Sequence, residues 1–477
     1  MRASVSIGYL VAALTMGGCA ELTEHPATRS AIEIDTSRGA FLGSEAGVFS
    51  ADGVPDDWWR LYQDPTLDAL VQDAIAANTD LRVAAASLAR SQAALRLANG
   101  ARDPETSLNL TPGFARQSAE EQLKGSEPLP SLWVYNLGAS VSYQVDLFGQ
   151  ITRTIEAAGA DVAASQAARD SVRVTVIAET TRAYLEACSA AREKAVAIRQ
   201  VDVQARRVAL TRRLTSGGRA IDLDVVRLAA QEDQIRANVP QIEAKRQVAL
   251  FRVAALTGRT PAELPVAVEG CQREPRINSA LPIGDGAALL GRRPDVRQAE
   301  RALRAAHARV GVAMGDLYPK IVLGASIGSA GLIKDALDAG TNKFSIGPLI
   351  SWQFPNRSNA RARIQAQQAD EDAAAARFDG VLLTALRETE SALAVYARDL
   401  DAREALDAAR QKAYRAAMDT ERLFAGGRQG ASAVLDAART STETEQAVAA
   451  MDTRLAADQV ALFLALGGGW QGIPKTR

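Results

Sequence analysis

Few residues in this 477-residue chain stand at spacings that could do chemistry. Two carboxylate pairs do, Asp56-Asp57 and Asp222/Asp224. Paired carboxylates can split general-acid and general-base roles when their surroundings push their pKa values apart. Two glycine pairs, Gly217-Gly218 and Gly426-Gly427, would let a backbone approach a phosphate. A phosphate loop joins a strand to a helix, however, and these pairs join helix to helix. The sequence holds no Walker-type loop, no nucleophile elbow, no zinc-protease helix and no Cys-x-x-Cys. The two histidines, His25 and His307, are too few for a histidine-rich metal site, and His307 reads as a surface residue of an Ala/Arg helix. No alternating strand–helix pattern builds a pocket around the carboxylates, so they read as solvated charge. Neither catalysis, a cofactor nor a metal is expected.

The cysteines are Cys19, Cys188 and Cys271, too few and too widely spaced for a disulfide framework. Cys188 lies in a long helical stretch and reads as a small core residue. Cys271 lies in a Pro-containing loop and reads as a free thiol. Cys19 differs. Residues 1–18 carry Arg2, an apolar run from Val5 to Met16, and Gly17-Gly18. That is a secretory signal with small residues at its cleavage point. It is too short to span a bilayer. A cysteine directly after it resembles the bacterial lipoprotein signal, whose thiol is acylated, so Cys19 is the expected lipidation site. Multiple acyl chains anchor stably. Ala20 in place of an Asp permits sorting to the outer membrane, by the same resemblance.

The elements that position these residues occur twice. Ser142, Gln144, Asp161, Asp170 and Glu179 recur as Ser351, Gln353, Asp370, Asp379 and Glu388, every pair 209 positions apart. Arg213-Leu214-x-x-Gly217-Gly218-Arg219 recurs at the same offset as Arg422-Leu423-x-x-Gly426-Gly427-Arg428. Upstream, Asp80 and Pro104 match Asp295 and Pro319 at an offset of 215, so the slip falls inside one loop. Fixed-period self-similarity marks repeated architecture.

Within each copy a two-stranded hairpin comes first. From Leu137 to Leu147 apolar residues alternate with Gly138, Ser140, Ser142, Gln144 and Asp146. Phe344, Ile346, Ile350, Trp352 and Phe354 alternate likewise with Lys343, Ser345, Gly347, Ser351 and Gln353. Leu108, Leu110 and Phe114 mark the first strand; Ile321, Leu323, Ala325 and Ile327 mark the third. Strands of about ten residues with one apolar and one small polar face suit a transmembrane barrel. Four strands cannot close one, and lipid does not tolerate open edges, so several chains must contribute. Long helices follow. Ile151 to Leu214 contains no proline and only Gly159, which allows about 95 Å of helix at ~1.5 Å per residue. Asp222 to Thr257 returns. Arg361 to Leu423 and Ala433 to Leu466 repeat the pattern. Aromatics make up 5%, as expected of thin-walled or coiled-coil helices. A net charge of −1 gives no reason to expect nucleic acid as a partner.

Taken together, the chain resembles the outer membrane factor family, TolC- and NodT-like efflux channels, in its lipoprotein branch. The resemblance rests on residues 59–67 (Trp59-Arg60-Leu61-Tyr62-Gln63-Asp64-Pro65-x-Leu67), Asp146-Leu147-Phe148-Gly149, and residues 293–300 (Arg293-Pro294-Asp295-Val296-Arg297-Gln298-Ala299-Glu300). Leu317-Tyr318-Pro319, Val434-Leu435-Asp436-Ala437 and Ala465-Leu466-Gly467-Gly468-Gly469-Trp470 complete it. It spans essentially the whole mature chain.

The resemblance implies a mainly α fold with a membrane β-barrel. Three chains would form a twelve-stranded barrel continued by a long periplasmic α-helical barrel. The domains would be a signal at 1–18, a lead-in and first helix at 19–100 and repeat 1 at 101–258. An equatorial linker at 259–292, repeat 2 at 293–467 and a tail at 468–477 follow. It implies a passive exit duct for small molecules, served by a periplasmic adaptor and a proton-driven inner-membrane pump. Asp436, Asp224, Arg422 and Arg213 would form the periplasmic gate. Gly217, Gly218, Arg219, Gly426, Gly427 and Arg428 would meet the adaptor. The sequence leaves two rivals open: a duct for secreted proteins, and a periplasmic coiled-coil scaffold or adaptor without lipid-facing strands.

Overall fold

Alternation of apolar and small polar residues produces four strands, and unbroken Ala-rich stretches produce the long helices. The computed structural model describes residues 41–43, 47–116, 118, 129–277, 279–284, 289, 291–352 and 357–470. The signal, Cys19, His25, Gln353, Phe354 and residues 471–477 lie outside them. In chain order the elements are β1 (Phe49–Ser50), α1 (Pro65–Ala77), α2 (Thr79–Gly100), β2 (Glu105–Ala115), β3 (Leu132–Val145), α3 (Gln150–Ser216), α4 (Asp222–Arg236) and α5 (Asn238–Leu256). Then come α6 (Val266–Glu269), β4 (Leu281–Pro282), α7 (Pro294–Gly315), β5 (Lys320–Leu332), β6 (Asn342–Ser351), α8 (Arg357–Ala425) and α9 (Ala431–Ala465). The chain divides into two units. Of the described residues, one takes those within 89–164 and 299–378; the other takes those within 41–88, 165–298 and 379–470.

The first unit holds an antiparallel sheet in the order β2-β3-β5-β6. Two of the sequence motifs meet where its strands give way to helices. Phe148 stacks on Tyr318, ring centroids 4.6 Å apart. The Asp146 carboxylate caps α3 by accepting from the Ile151 and Thr152 amides at 2.9 and 2.8 Å. Gln150 Nε2 donates to Asp316 Oδ1 at 3.0 Å. His307 is not the surface residue its Ala/Arg setting suggests. Its Nδ1 lies 3.1 Å from Oε1 of Glu371, which is fully buried. A buried carboxylate needs such a partner, and helical periodicity does not disclose which residue on a neighbouring helix supplies it.

The second unit carries the main core. Trp58 is 1% exposed and stacks on Phe463 at 4.7 Å. Burying a Trp at ~25 cal/mol per Å² contributes on the order of 4 kcal/mol. Asp64 caps α1, accepting from the Thr66 and Leu67 amides at 2.8 and 3.2 Å, with Pro65 at the first helical position. Tyr184 Oη also donates to Asp64, at 2.9 Å. The run from Trp59 to Leu67 is thus a helix start pinned to the core. At the other end, Gly467 takes φ +65, and a Cβ there would stand 3.0 Å from Arg293 Cγ. Arg293 Nη1 donates to the Ala465 carbonyl at 2.8 Å, and its Nη2 donates to Asp295 and Glu388 at 2.7 and 2.9 Å.

Two expectations need correction here. Cys188 and Cys271 form a disulfide, with their Cα atoms 5.1 Å apart. Cys188 is buried as read, but Cys271 is not a free thiol. Eighty-three residues separate the two, and only the fold of the linker back onto α3 brings them together. The return from Asp222 to Thr257 is also two helices, α4 and α5, meeting at Ala237. Pro240 has no N–H to give the Arg236 carbonyl, so the ladder breaks there. The equivalent return in the second copy, α9, runs 35 residues unbroken.

Candidate functional site: sheet faces and helix turns

Cross-strand register sorts the sheet residues into rows. Thr106, Val141, Ala325 and Ile346 align, as do Leu108, Ala139, Ile327 and Phe344. These rows share the apolar face, where Leu108 is 75% and Ile346 82% exposed. The opposite face carries Glu105, Ser142, Gly324 and Gly347 in one row. A second row is four serines, Ser107, Ser140, Ser326 and Ser345. Ser107 and Ser140 hydroxyls lie 2.8 Å apart, and so do Ser326 and Ser345. The outer strands β2 and β6 each have one neighbour in this sheet. The alternation read in the sequence therefore yields a sheet that is apolar on one face, small and polar on the other, and open at both edges. At one end Tyr135 Oη, Ser329 Oγ and Thr341 Oγ1 join in hydrogen bonds of 2.5 to 3.2 Å. No helix among the described residues is long and apolar enough to cross a membrane.

In the second unit the helices pack in a row. α4 and α5 lie beside α3 through Gln204 to the Leu228 carbonyl at 3.0 Å and Lys194 to Glu243 at 2.8 Å. α3 lies beside α9, and α9 beside α8. The tie is strongest at Asp452 of α9. Its carboxylate accepts from Arg192 of α3 at 2.8 Å, Arg276 of the linker at 2.5 Å and Arg403 of α8 at 3.1 Å. Buried Glu274 takes a second bond each from Arg192 and Arg276, at 2.5 and 2.9 Å. Burial pushes Asp452 up, but the three arginines outweigh it and hold its pKa below the usual value. One helical turn before Arg192, Cys188 carries the disulfide. Nearby, burial and the adjacent Asp399 carboxylate push Asp458 up to about 7. Arg454 pairs with Asp399.

Toward the helix turns the ties thin out. Arg199 meets Glu445 at 2.5 Å, both part-exposed, and then Arg207 meets Asp436 at 2.7 Å. Asp436 is 59% exposed. Each turn is closed by the same device: Gly218 and Gly427 sit at φ +72 and +69, where an L side chain is disfavoured. The Arg219 amide donates to the Leu214 carbonyl and the Arg428 amide to Leu423, both at 2.8 Å. The duplication is thus repeated down to its hydrogen bonds.

The structure places the expected gate residues differently from one another. Asp436 has a partner on another helix, but it is Arg207, which the sequence did not single out. Arg422 pairs with Asp419 of its own helix at 3.6 Å. Among the described residues neither Asp224, in the first turn of α4, nor Arg213 makes an ion pair. The signal that could have found Arg207 was its position nearly three helical turns before the Gly217-Gly218 pair, on the face of α3 that meets α9.

The model of a family described as outer membrane efflux protein matches residues 70–259 and 287–468. Outer membrane protein OprJ of Pseudomonas aeruginosa is 28% identical over 474 residues, which cover 98% of this chain and 97% of OprJ. The toluene efflux pump outer membrane protein TtgC of Pseudomonas putida is 27% identical over 478 residues, covering 97% and 95%. The solved outer-membrane channel OprN superposes with a TM-score of 0.85 at 32% identity, over 94% of this chain and 99% of that one. These relatives are outer-membrane proteins, and the solved OprN is an outer-membrane channel. The sheet, the paired long helices and the duplicated turns described above are the fold of those channels, and the chain belongs to the outer membrane efflux protein family.

Proposed function

We propose that three copies of this chain form a passive outer-membrane exit duct. The observation that carries this reading is the open sheet. Its apolar face and its two unpaired edges cannot rest in lipid alone, because each unsatisfied backbone group there costs several kcal/mol. Three such sheets, edge to edge, close a twelve-stranded barrel with the serine row toward the lumen. The helical row likewise calls for neighbouring chains. Its outer helices expose apolar side chains, Leu383, Val395 and Tyr414 on α8 and Val226, Val248 and Phe251 on α4 and α5. Those edges would meet between neighbouring chains and close a tunnel in the periplasm. Residues 1–18 would be removed and Cys19 acylated. The duct would take small molecules from a proton-driven inner-membrane pump through a periplasmic adaptor; the toluene efflux pump relative favours small cargo over secreted protein.

Three copies of Asp436, with Asp224 nearby, would ring the axis at the turn end and favour cations. Arg207 would hold each Asp436 in the closed state, and Arg422 and Arg213 would lie at its rim. Native mass spectrometry in detergent should give three chains, and planar-bilayer recordings a channel. Val141→Arg should block assembly, since a charge toward lipid costs about 2–4 kcal/mol near the midplane. Ser142→Arg should assemble and change conductance. A folded membrane-inserted monomer, or equal assembly defects on the two faces, would end this reading.

A further inference from the structure

We infer that three copies of Lys343 ring the lumen of the barrel and make it favour anionic cargo over organic cations. This rests on the duct reading above and adds the charge class of what passes. Lys343 belongs to the polar face of the sheet, in the row Asn109, Gly138, Gly328 and Lys343, next to the serine row. Neither row holds an acid. The other charged residues of that face, Glu105 and Lys320, stand at the first positions of β2 and β5. Lys320 is already paired with Asp316, at 3.5 Å. Glu105 stands four residues before Asn109 on β2. At ~3.4 Å per residue that is about 13 Å, beyond the ~10 Å over which exposed charges are felt at 0.1 M salt.

The sheet holds this lysine in place. Its stem lies on Gly328, where an added Cβ would stand 3.3 Å from Lys343 Cε. Its Nζ donates to Asn136 Oδ1 at 2.8 Å. Gly138, the next residue of the row, offers no side chain to lift the stem. The ammonium therefore rests over β3, inside the sheet rather than at its β6 edge. Asn136 is a neutral acceptor, and among the described residues Lys343 makes no ion pair, so its charge stays uncancelled.

On an open surface one such lysine would be ordinary solvated charge. A closed barrel changes the geometry. Twelve strands ~4.8 Å apart and tilted by about 40° make a wall with a backbone radius of about 12 Å. Side chains take up part of that, so an ion on the axis passes within about 10 Å of all three ammoniums, close to the screening length at 0.1 M salt. The three potentials overlap across the whole lumen, and low-dielectric walls focus the field inside it. Rings of Lys or Arg select anions for this reason. An anionic solute is concentrated at the ring, and a cationic one of the same size is held back.

The test reads the local potential with charged thiol reagents on the full-length chain in lipid nanodiscs. Ser326→Cys puts a thiol in the serine row beside Lys343, with Ser140→Cys in the same row as the second choice should the first not assemble. Cys188 and Cys271 are bonded to each other, and Cys19 is acylated on the duct reading, so none of them competes. An anionic and a cationic methanethiosulfonate are applied, and the ratio of their rates is divided by the ratio for free glutathione. The anionic reagent should be favoured about fourfold at about 50 mM salt, and the preference should vanish near 1 M, where the screening length is ~3 Å. Lys343→Gln should abolish the preference, Lys343→Glu should reverse it and Lys343→Arg should keep it. Equal corrected rates in the parent, or a preference that survives Lys343→Gln, would overturn the inference. A chain that forms no trimer, or a serine-row thiol that neither reagent reaches, defeats the duct reading; a reachable thiol in an intact trimer that ignores reagent charge defeats only this one.

Discussion

Two places along α3 and α9 are tied in opposite ways. Around Asp452, a 5%-exposed carboxylate gathers arginines from α3, α8 and the linker, and a disulfide one turn away closes the same joint covalently. At the turns, a single ion pair with a 59%-exposed aspartate joins α3 to α9. The contrast follows from solvent. Charges withdrawn from water must be fully paired, and breaking one such pair is costly. Exposed pairs contribute about 0–1 kcal/mol and are easily exchanged. Local stability should therefore fall along the helices from the clamp to the turns, and low-stability ends are where opening motions arise. A duct that opens at its turns and keeps its middle fixed needs this gradient.

The largest effect should come from Asp452→Ala. It leaves three part-buried arginines facing one another and Glu274, and should cost about 3–5 kcal/mol in guanidinium unfolding of the assembled protein. The pH sign can be read independently. Asp452 has a depressed folded pKa, so its contribution is complete above the unfolded value of about 4 and is lost as pH falls further. A loss under about 1 kcal/mol would place the clamp elsewhere.

Next comes Cys188→Ser/Cys271→Ser. A crosslink spanning 83 residues should be worth about 2–4 kcal/mol, chiefly through the unfolded chain. Dithiothreitol should reproduce the shift in the parent chain and do nothing to the double variant. If reductant leaves the thermal midpoint of the parent unmoved, the joint does not depend on the bond.

Asp458→Asn should act in the other direction. Its folded pKa of about 7 lies above the unfolded value, so the folded state loses stability as pH rises from about 4 through about 7. Linkage alone would give about 4 kcal/mol. The group is only half-buried, and solvent screening brings this to about 1–2 kcal/mol. The Asn variant should be more stable than the parent at pH 8 and nearly equal to it at pH 4. Thermal midpoints at the two pH values decide this; a parallel offset at both would deny the titration.

Much of this was legible in the sequence, and the gaps have physical causes. Strands declared themselves because lipid and water on opposite faces force a period of two, visible from Leu137 to Val145. The turns declared themselves because only glycine sits easily at the positive φ of Gly218 and Gly427. What stayed hidden depended on contacts between helices far apart in the chain. The Cys188–Cys271 bond needs the linker's path, the His307–Glu371 contact needs two helix phases at once, and Arg207 was one arginine among many until α9 was set beside α3. The break at Ala237 has its cause in Pro240, whose missing N–H interrupts an otherwise regular helical pattern.

The smallest effect on stability should accompany the largest effect on transport. Arg207→Ser removes one exposed-pair interaction, worth no more than about 1 kcal/mol, so unfolding should barely change. If Arg207 closes the duct, three such losses per trimer free three Asp436 carboxylates that repel one another around the axis. Resting conductance in planar bilayers should then rise without any adaptor, and cation selectivity should increase because the ring is no longer neutralised. Asp436→Ala also breaks the pair, but it takes away the ring charge, so conductance should rise while selectivity falls. Arg422→Ser, whose partner sits on its own helix, should leave resting conductance unchanged. That pattern separates a tether between helices from charge at the rim. If Arg422→Ser opened the channel and Arg207→Ser did not, the closed state would be held at the α8 turn and the Arg207–Asp436 pair would be ordinary helix-surface charge.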